Sequence, residues 1–243
     1  MLPQGRHVYD AFTNADKGLL TIDTSQHSNK VFIDCSTIDV KTSLKVAQAV
    51  ERSKLGVFAD APVSGGKGGA DAGTLTFMIG SAPENLERIK SVVAMMGKPE
   101  SIFSCGNSGA GLATKQINNY LSAVCMIGVC EGMDMGRRYG LDPKTLAGVI
   151  NVSTGMSYNS SKQNPVRGVS PTSVAEEDFA VGFTTELCSG VLDMAISLGQ
   201  DVGTQNVMAG VVQKVFAKAI ESDKCKGKDF RSIYKLFADG DFA

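Results

Sequence analysis

Lys115 and Asn119 stand four residues apart. On a helix that spacing places an ammonium and a carboxamide side by side on one face. Lone helix lysines are usually solvated, but no residue from Gln116 to Cys130 is charged. Burial beside such a run lowers a lysine's pKa toward neutrality and suits it to proton transfer. Two glycine-rich stretches accompany the pair. The run Asp60-Ala61-Pro62-Val63-Ser64-Gly65-Gly66 follows a strand-like segment, and its glycines expose backbone N–H groups that can cradle a carboxylate. Taken alone, it reads first as an ordinary strand-to-loop connection. Gly106-Asn107-Ser108-Gly109-Ala110-Gly111 lacks the spacing of the G-x-G-x-x-G dinucleotide loop.

These residues need elements to hold them, and the first part of the chain alternates strands with helices. Val31 to Ser36 is a short apolar run of the buried parallel-strand kind, followed by a helix expected from Val40 to Lys54 with Leu44, Ala47 and Val50 on one face. Further strands are expected at Gly56–Ala61, Leu75–Ile79 and Ser101–Cys105. Between the last two lies a helix from Ala82 to Met96, with Pro83 in its first turn.

After Gly111 helical periodicity takes over. A long helix is expected from Leu112 to Tyr139, stopped by Gly140, and Asp142 with Pro143 starts the next. Its apolar stretch is interrupted by Gln116, Asn118, Asn119 and Ser122 and is too short for a membrane span, so it reads as a buried helix. Gly128, Gly132 and Gly136 share one face and would admit another backbone; they read equally as tolerated glycines. Later helices are expected near 183–200, 202–222 and 228–238. The last carries Phe230, Ile233, Tyr234 and Phe237 as a core stripe.

Composition narrows the class of function. Lys+Arg total 24 against Asp+Glu 25, a net charge of −1, which gives no bulk attraction to nucleic acid or anionic membrane. Six cysteines without a CxxC pair, and only two histidines, suggest neither a zinc site nor a disulfide framework. Reduced thiols fit a cytosol-like or matrix-like compartment. The opening Met-Leu-Pro-Gln-Gly-Arg-His lacks the character of a targeting segment.

Taken in order, these segments resemble the β-hydroxyacid dehydrogenases, and among them those acting on 3-hydroxyisobutyrate. Met1-Leu2-Pro3 is similar to the end of the family's fourth strand, Ile33 to Asp39 to its Asp-Ser-Ser-Thr-Ile-Asp element, and Asp60 to Gly66 to its substrate loop. Gly106-x-x-Gly109-x-Gly111-x-x-x-Lys115-x-x-x-Asn119 resembles its catalytic signature, and Gly227-Lys228-Asp229-Phe230 its C-terminal helix. The resemblance implies an α/β fold: a partial Rossmann-like parallel sheet in residues 1–111, then an all-α domain in 112–243. It implies NAD as cofactor, a small hydroxy acid as substrate and a homo-oligomer. It implies Lys115 as catalytic residue, Ser64, Gly65, Gly66 and Asn119 at the substrate, and Leu2, Pro3 and Thr37 along the nicotinamide. Eukaryotic members work in the mitochondrial matrix, and a prokaryotic one would be cytoplasmic. The catalytic-helix histidine of 6-phosphogluconate relatives is absent here, which argues against a sugar phosphate.

Two departures temper that implication. The sequence begins beyond the position of the family's G-x-G-x-x-G loop, and a βαβ unit of about 30 residues does not fit ahead of Val31. A collapse of dinucleotide affinity, impaired activity, and an exposed apolar edge at residues 31–36 prone to aggregation or assembly with another chain are therefore expected. Gly190 stands where the family carries a lysine that approaches the cofactor. Two other readings stay open: a dehydrogenase of another small 3-hydroxy acid or semialdehyde, such as tartronate or succinic semialdehyde, and a non-catalytic interaction module.

Overall fold

A computed structural model describes residues 1–22, 29–180 and 182–242. The segment ahead of Val31, where no βαβ unit was expected, therefore lies partly outside the described residues. The chain forms two compact units, Met1–Ile117 and Asn118–Ala243.

In the first unit, helices α1 (Gly5–Thr13), α2 (Val40–Ser53), α3 (Gly66–Asp71) and α4 (Leu86–Val93) accompany strands β1 (Lys30–Asp34), β2 (Gly56–Asp60), β3 (Val63–Ser64), β4 (Leu75–Gly80) and β5 (Gly97–Gly106). Strands β1 and β2 are parallel from Lys30 opposite Gly56 to Asp34 opposite Asp60. Alternation along β2 builds a core on each face. Phe58 joins Val8, Phe12, Val46 and Val50 from α1 and α2, whereas Ala59 joins Phe77, Ile79, Ile89 and Val93.

The sheet has the expected Rossmann-like parallel pairs, β1 with β2 and β4 with β5, and an antiparallel part between them. The chain bends after β2 into β3, and both meet β4 antiparallel, while β5 runs parallel to β4. Only residues 65–74 join β3 to β4, too few for the crossover of about a dozen residues that parallel pairing requires. Strand β1 pairs with β2 alone among the described residues, and its apolar side chains Val31, Phe32 and Ile33 are only partly buried. Phe32 packs on Phe12 at 5.8 Å between ring centroids, and Val31 and Ile33 pack against the other core.

Two helices differ from expectation. Ser43, Val46 and Val50 form the buried stripe of α2, and Leu44 is exposed. The segment expected to be helical over 82–96 opens with a 3-10 turn at Pro83–Asn85, and α4 proper spans only Leu86–Val93.

Helix α5 (Ala110–Tyr139) runs from the first unit into the second, and the two compact units divide after Ile117. Its first turns are hydrogen-bonded to the sheet unit, as described below. The second unit adds α6 (Pro143–Asn151), capped by Asp142 as expected, α7 (Tyr158–Ser161), α8 (Thr185–Asp201), α9 (Ala209–Glu221) and α10 (Tyr234–Ala238). Its core joins Met126, Ile127 and Cys130 of α5 with Leu192, Val215, Phe216, Phe230, Ile233 and Leu236. The aromatic stripe is thus core, although 228–238 forms a 3-10 turn followed by α10 and not one helix.

Candidate active site

The first unit's sheet reverses direction where Asp60 of β2 meets Gly80 of β4. Both strands end here, and ligands of open α/β sheets bind outside strand carboxyl ends. The Asp60 side chain is fully buried there and accepts hydrogen bonds from the backbone N–H groups of Gly109 (2.6 Å) and Leu112 (2.8 Å). Those N–H groups begin α5 and have no intrahelical acceptor, so Asp60 caps the helix from a distant strand. Burial raises the Asp60 pKa, opposed by these two hydrogen bonds.

The glycine spacing before Lys115 follows from this arrangement. Gly109 holds φ +91°, a left-handed conformation that L side chains rarely adopt, while its N–H points to Asp60. A Cβ on Gly111 would stand 2.2 Å from the Met78 carbonyl oxygen. Only glycine lets the first turn of α5 lie against β4.

Lys115 follows one turn on and is half-buried. Burial draws its ammonium from the ordinary 10.5 down to about 8, as the uncharged run after it leads one to expect. Its neighbour Gln116 is buried and donates Nε2–H to the Ile38 carbonyl at 2.9 Å. Ser36 in turn accepts the Leu2 N–H at 2.8 Å. These bonds gather Leu2 and Pro3, both exposed, the half-buried Thr37, and the start of α5 into one unit. Asp60 ties in the run leading to Ser64, which pairs with Thr76 of β4. Gly65 (φ +136°) and Gly66 (φ +60°) turn the exposed backbone from β3 into α3. Asn119 lies one turn beyond Lys115 on α5, half-buried.

Asp60 and Gln116 escaped the sequence reading as positioning residues. Asp60 figured only as the start of a motif, and Gln116 only as a polar interruption of an apolar run. A buried amide or carboxylate must find partners, so a glutamine on the core side of an apolar helix was the available signal. Cys35, by contrast, is pushed up to about 11 by burial and by Asp34, and burial also raises Cys188, so both thiols are protonated and unsuited to nucleophilic attack. Among the described residues no group of three His, Cys, Asp or Glu could hold a metal ion, and no helix is long and apolar enough to cross a membrane. Gly190 sits on an exposed turn of α8, with no heavy atom within 4 Å of where a Cβ would stand.

Residues 1–109 match the family described as the NAD binding domain of 6-phosphogluconate dehydrogenase. Residues 109–237 match the one described as NAD-binding of NADP-dependent 3-hydroxyisobutyrate dehydrogenase. A 3-hydroxyisobutyrate dehydrogenase from Pseudomonas aeruginosa is 37% identical over 242 residues, 99% of this chain and 79% of that protein. The mitochondrial 3-hydroxyisobutyrate dehydrogenase of Homo sapiens is 34% identical over 98% of this chain and 69% of its own. The fold matches the solved structure of Mycobacterium tuberculosis 3-hydroxyisobutyrate dehydrogenase with L-serine at a TM-score of 0.87 and 32% identity, covering 97% of this chain and 77% of that one. With two NAD-binding segments in succession and this likeness along nearly its whole length, the chain belongs to the NAD-dependent 3-hydroxyisobutyrate dehydrogenases of the β-hydroxyacid dehydrogenase family.

Proposed function

We propose that this chain oxidises 3-hydroxyisobutyrate to methylmalonate semialdehyde, a step of valine breakdown. The observation that carries the reading is Lys115, its ammonium drawn to about 8 by burial, on the helix whose first turns are hydrogen-bonded to Asp60 and to the Ile38 carbonyl. An amine with that value is neutral often enough at mild alkaline pH to accept a proton, and charged often enough below it to return one.

Lys115 takes the proton of the substrate's 3-hydroxyl at Nζ as the carbonyl forms, and in the reverse direction its ammonium polarises and protonates that carbonyl. Asn119 orients the hydroxyl through its carboxamide. The backbone N–H groups of Gly65 and Gly66, with the Ser64 hydroxyl, hold the carboxylate. NAD, when bound, supplies the hydride acceptor. The residues here suit its nicotinamide end: the Leu2 N–H donates to Ser36 Oγ, which joins the exposed Leu2-Pro3 stretch to the segment that carries Thr37. Residues 1–111 serve as the cofactor and substrate-loop part, and 112–243 as the helical part.

The enzyme works as a homo-oligomer, a reading supported by the exposed apolar residues of the second unit, Leu121, Met135, Tyr139 and Val152 among them. Its place of work is the matrix if the source is eukaryotic, as the mitochondrial relatives from Arabidopsis thaliana and Homo sapiens suggest, and the cytoplasm if it is bacterial. NADH formation by the purified protein over a panel of 3-hydroxyisobutyrate, L-serine, glycerate and 4-hydroxybutyrate tests the substrate. The highest kcat/KM falls on 3-hydroxyisobutyrate, and a higher value on another acid overturns the assignment.

A further inference from the structure

We propose that the buried carboxylate of Asp34 biases the site toward the oxidised cofactor, whose nicotinamide ring is cationic, and against the reduced one, whose ring is neutral. The inference rests on the reading above that places Leu2, Pro3 and Thr37 along the nicotinamide, and it adds to that reading a residue that acts through its charge.

Asp34 ends β1 directly opposite Asp60 at the end of β2. Side chains in register on neighbouring strands share a face, so two acidic groups lie side by side, 8% and 0% exposed. Their partners differ. Asp60 receives two N–H groups from the head of α5. Asp34 receives one: its Oδ1 accepts the Ser36 N–H at 2.9 Å, and its Oδ2 is buried without a hydrogen-bond partner. Among the described residues neither carboxylate forms an ion pair. A buried acid with a single donor is costly. An asparagine would hold the Ser36 N–H as well, so the hydrogen bond alone does not call for an acid at this position.

Neighbouring groups already respond to this charge. Burial first and Asp34 second push the Cys35 thiol up to about 11, and Asp34 adds to the rise that burial imposes on Asp60. Asp34 is also tied to the residues assigned to the cofactor. The Ser36 that it holds accepts the Leu2 N–H through Oγ at 2.8 Å, and Thr37 follows Ser36 directly. Hydride transfer removes the positive charge of the ring. A fixed negative charge in the surrounding protein therefore stabilises the oxidised form and gives nothing to the reduced one. The result is directional: NAD is held before the reaction, and NADH is released more readily after it.

Calorimetric titration of the full chain with NAD and, separately, with NADH reads the bias as the ratio of the two dissociation constants. Asp34→Asn keeps the shape and the acceptor for Ser36 but removes the charge. It is expected to lower Kd(NADH)/Kd(NAD) by about four- to tenfold, the scale of one charge acting through an effective dielectric of about 20. Asp34→Ala removes the acceptor too, and is expected to weaken both forms on top of the same change in ratio. A purely structural Asp34 would move both constants together, so an unchanged ratio in Asp34→Asn overturns the proposal and leaves the NAD site standing. A wild type that binds neither form at millimolar concentration overturns the NAD site, and this inference with it. If circular dichroism shows Asp34→Asn to be unfolded, Asp34→Ser, neutral and smaller, carries the same test with the same two outcomes.

Discussion

The carboxylate of Asp60, at the end of β2, accepts the Leu112 N–H at 2.8 Å, and this bond joins the strand leading to the Ser64 loop with the helix carrying Lys115. In Asp60→Asn one of the two capped N–H groups faces an amide N–H instead of an oxygen. The loss of a buried acceptor costs about 1–3 kcal/mol, read as a lower midpoint in thermal unfolding. Because Lys115 follows one turn on, kcat falls as well. A variant that melts like the wild type removes the cap from the account.

Lys115→Ala is expected to lower kcat by about 10²- to 10⁴-fold, the range of general acid–base contributions, with a smaller change in substrate affinity. Stopped-flow NADH formation with substrate titration separates the two. Unchanged kcat would end the assignment of Lys115 to proton transfer.

The pH dependence has a definite sign. Lys115 is lowered from 10.5 to about 8, so the folded chain releases this proton at lower pH than the unfolded one. Between those values the unfolded chain binds more protons, and stability rises with pH through this group; below about 8 the buried ammonium disfavours the fold. Alcohol oxidation should rise with pH around a midpoint near 8 and carbonyl reduction should fall around the same midpoint. Initial rates in both directions across a buffer series check this, and Lys115→Ala should lose both limbs.

Two glycines, both inside helices, should respond in opposite ways. In Gly111→Ala the new methyl meets the Met78 carbonyl oxygen at 2.2 Å, so α5 must lift off β4. Lower stability and lower activity follow together. Gly190→Lys enters open space on α8 and gains about 0.5–1 kcal/mol of helix propensity. Its melting point should rise, and by the family resemblance its KM for NAD should fall. A destabilised Gly190→Lys would show that this face of α8 is covered in the assembled protein.

Much of the arrangement was local and therefore legible in the sequence. Short strand-like runs marked β1, β2 and β4, and helical periodicity marked α5. Asp142 and Pro143 announced the start of α6, and the uncharged run after Lys115 foretold a desolvated amine. Segment order along the chain carried the family resemblance. Contacts between distant segments decided the rest. Nothing near Asp60 in the sequence says that its oxygens serve N–H groups some fifty residues on, nor that Gln116 will meet the Ile38 carbonyl, because a side chain's partner is set by where the sheet brings the other segment. The antiparallel turn of β4 was hidden for a similar reason: an apolar strand reads alike in either direction, and only the short link from β3 fixes its sense. Sequence alone thus determined which residues could do chemistry and which elements carry them. Tertiary structure decided what holds them still, since a buried polar group is satisfied by whatever the fold places within hydrogen-bond reach.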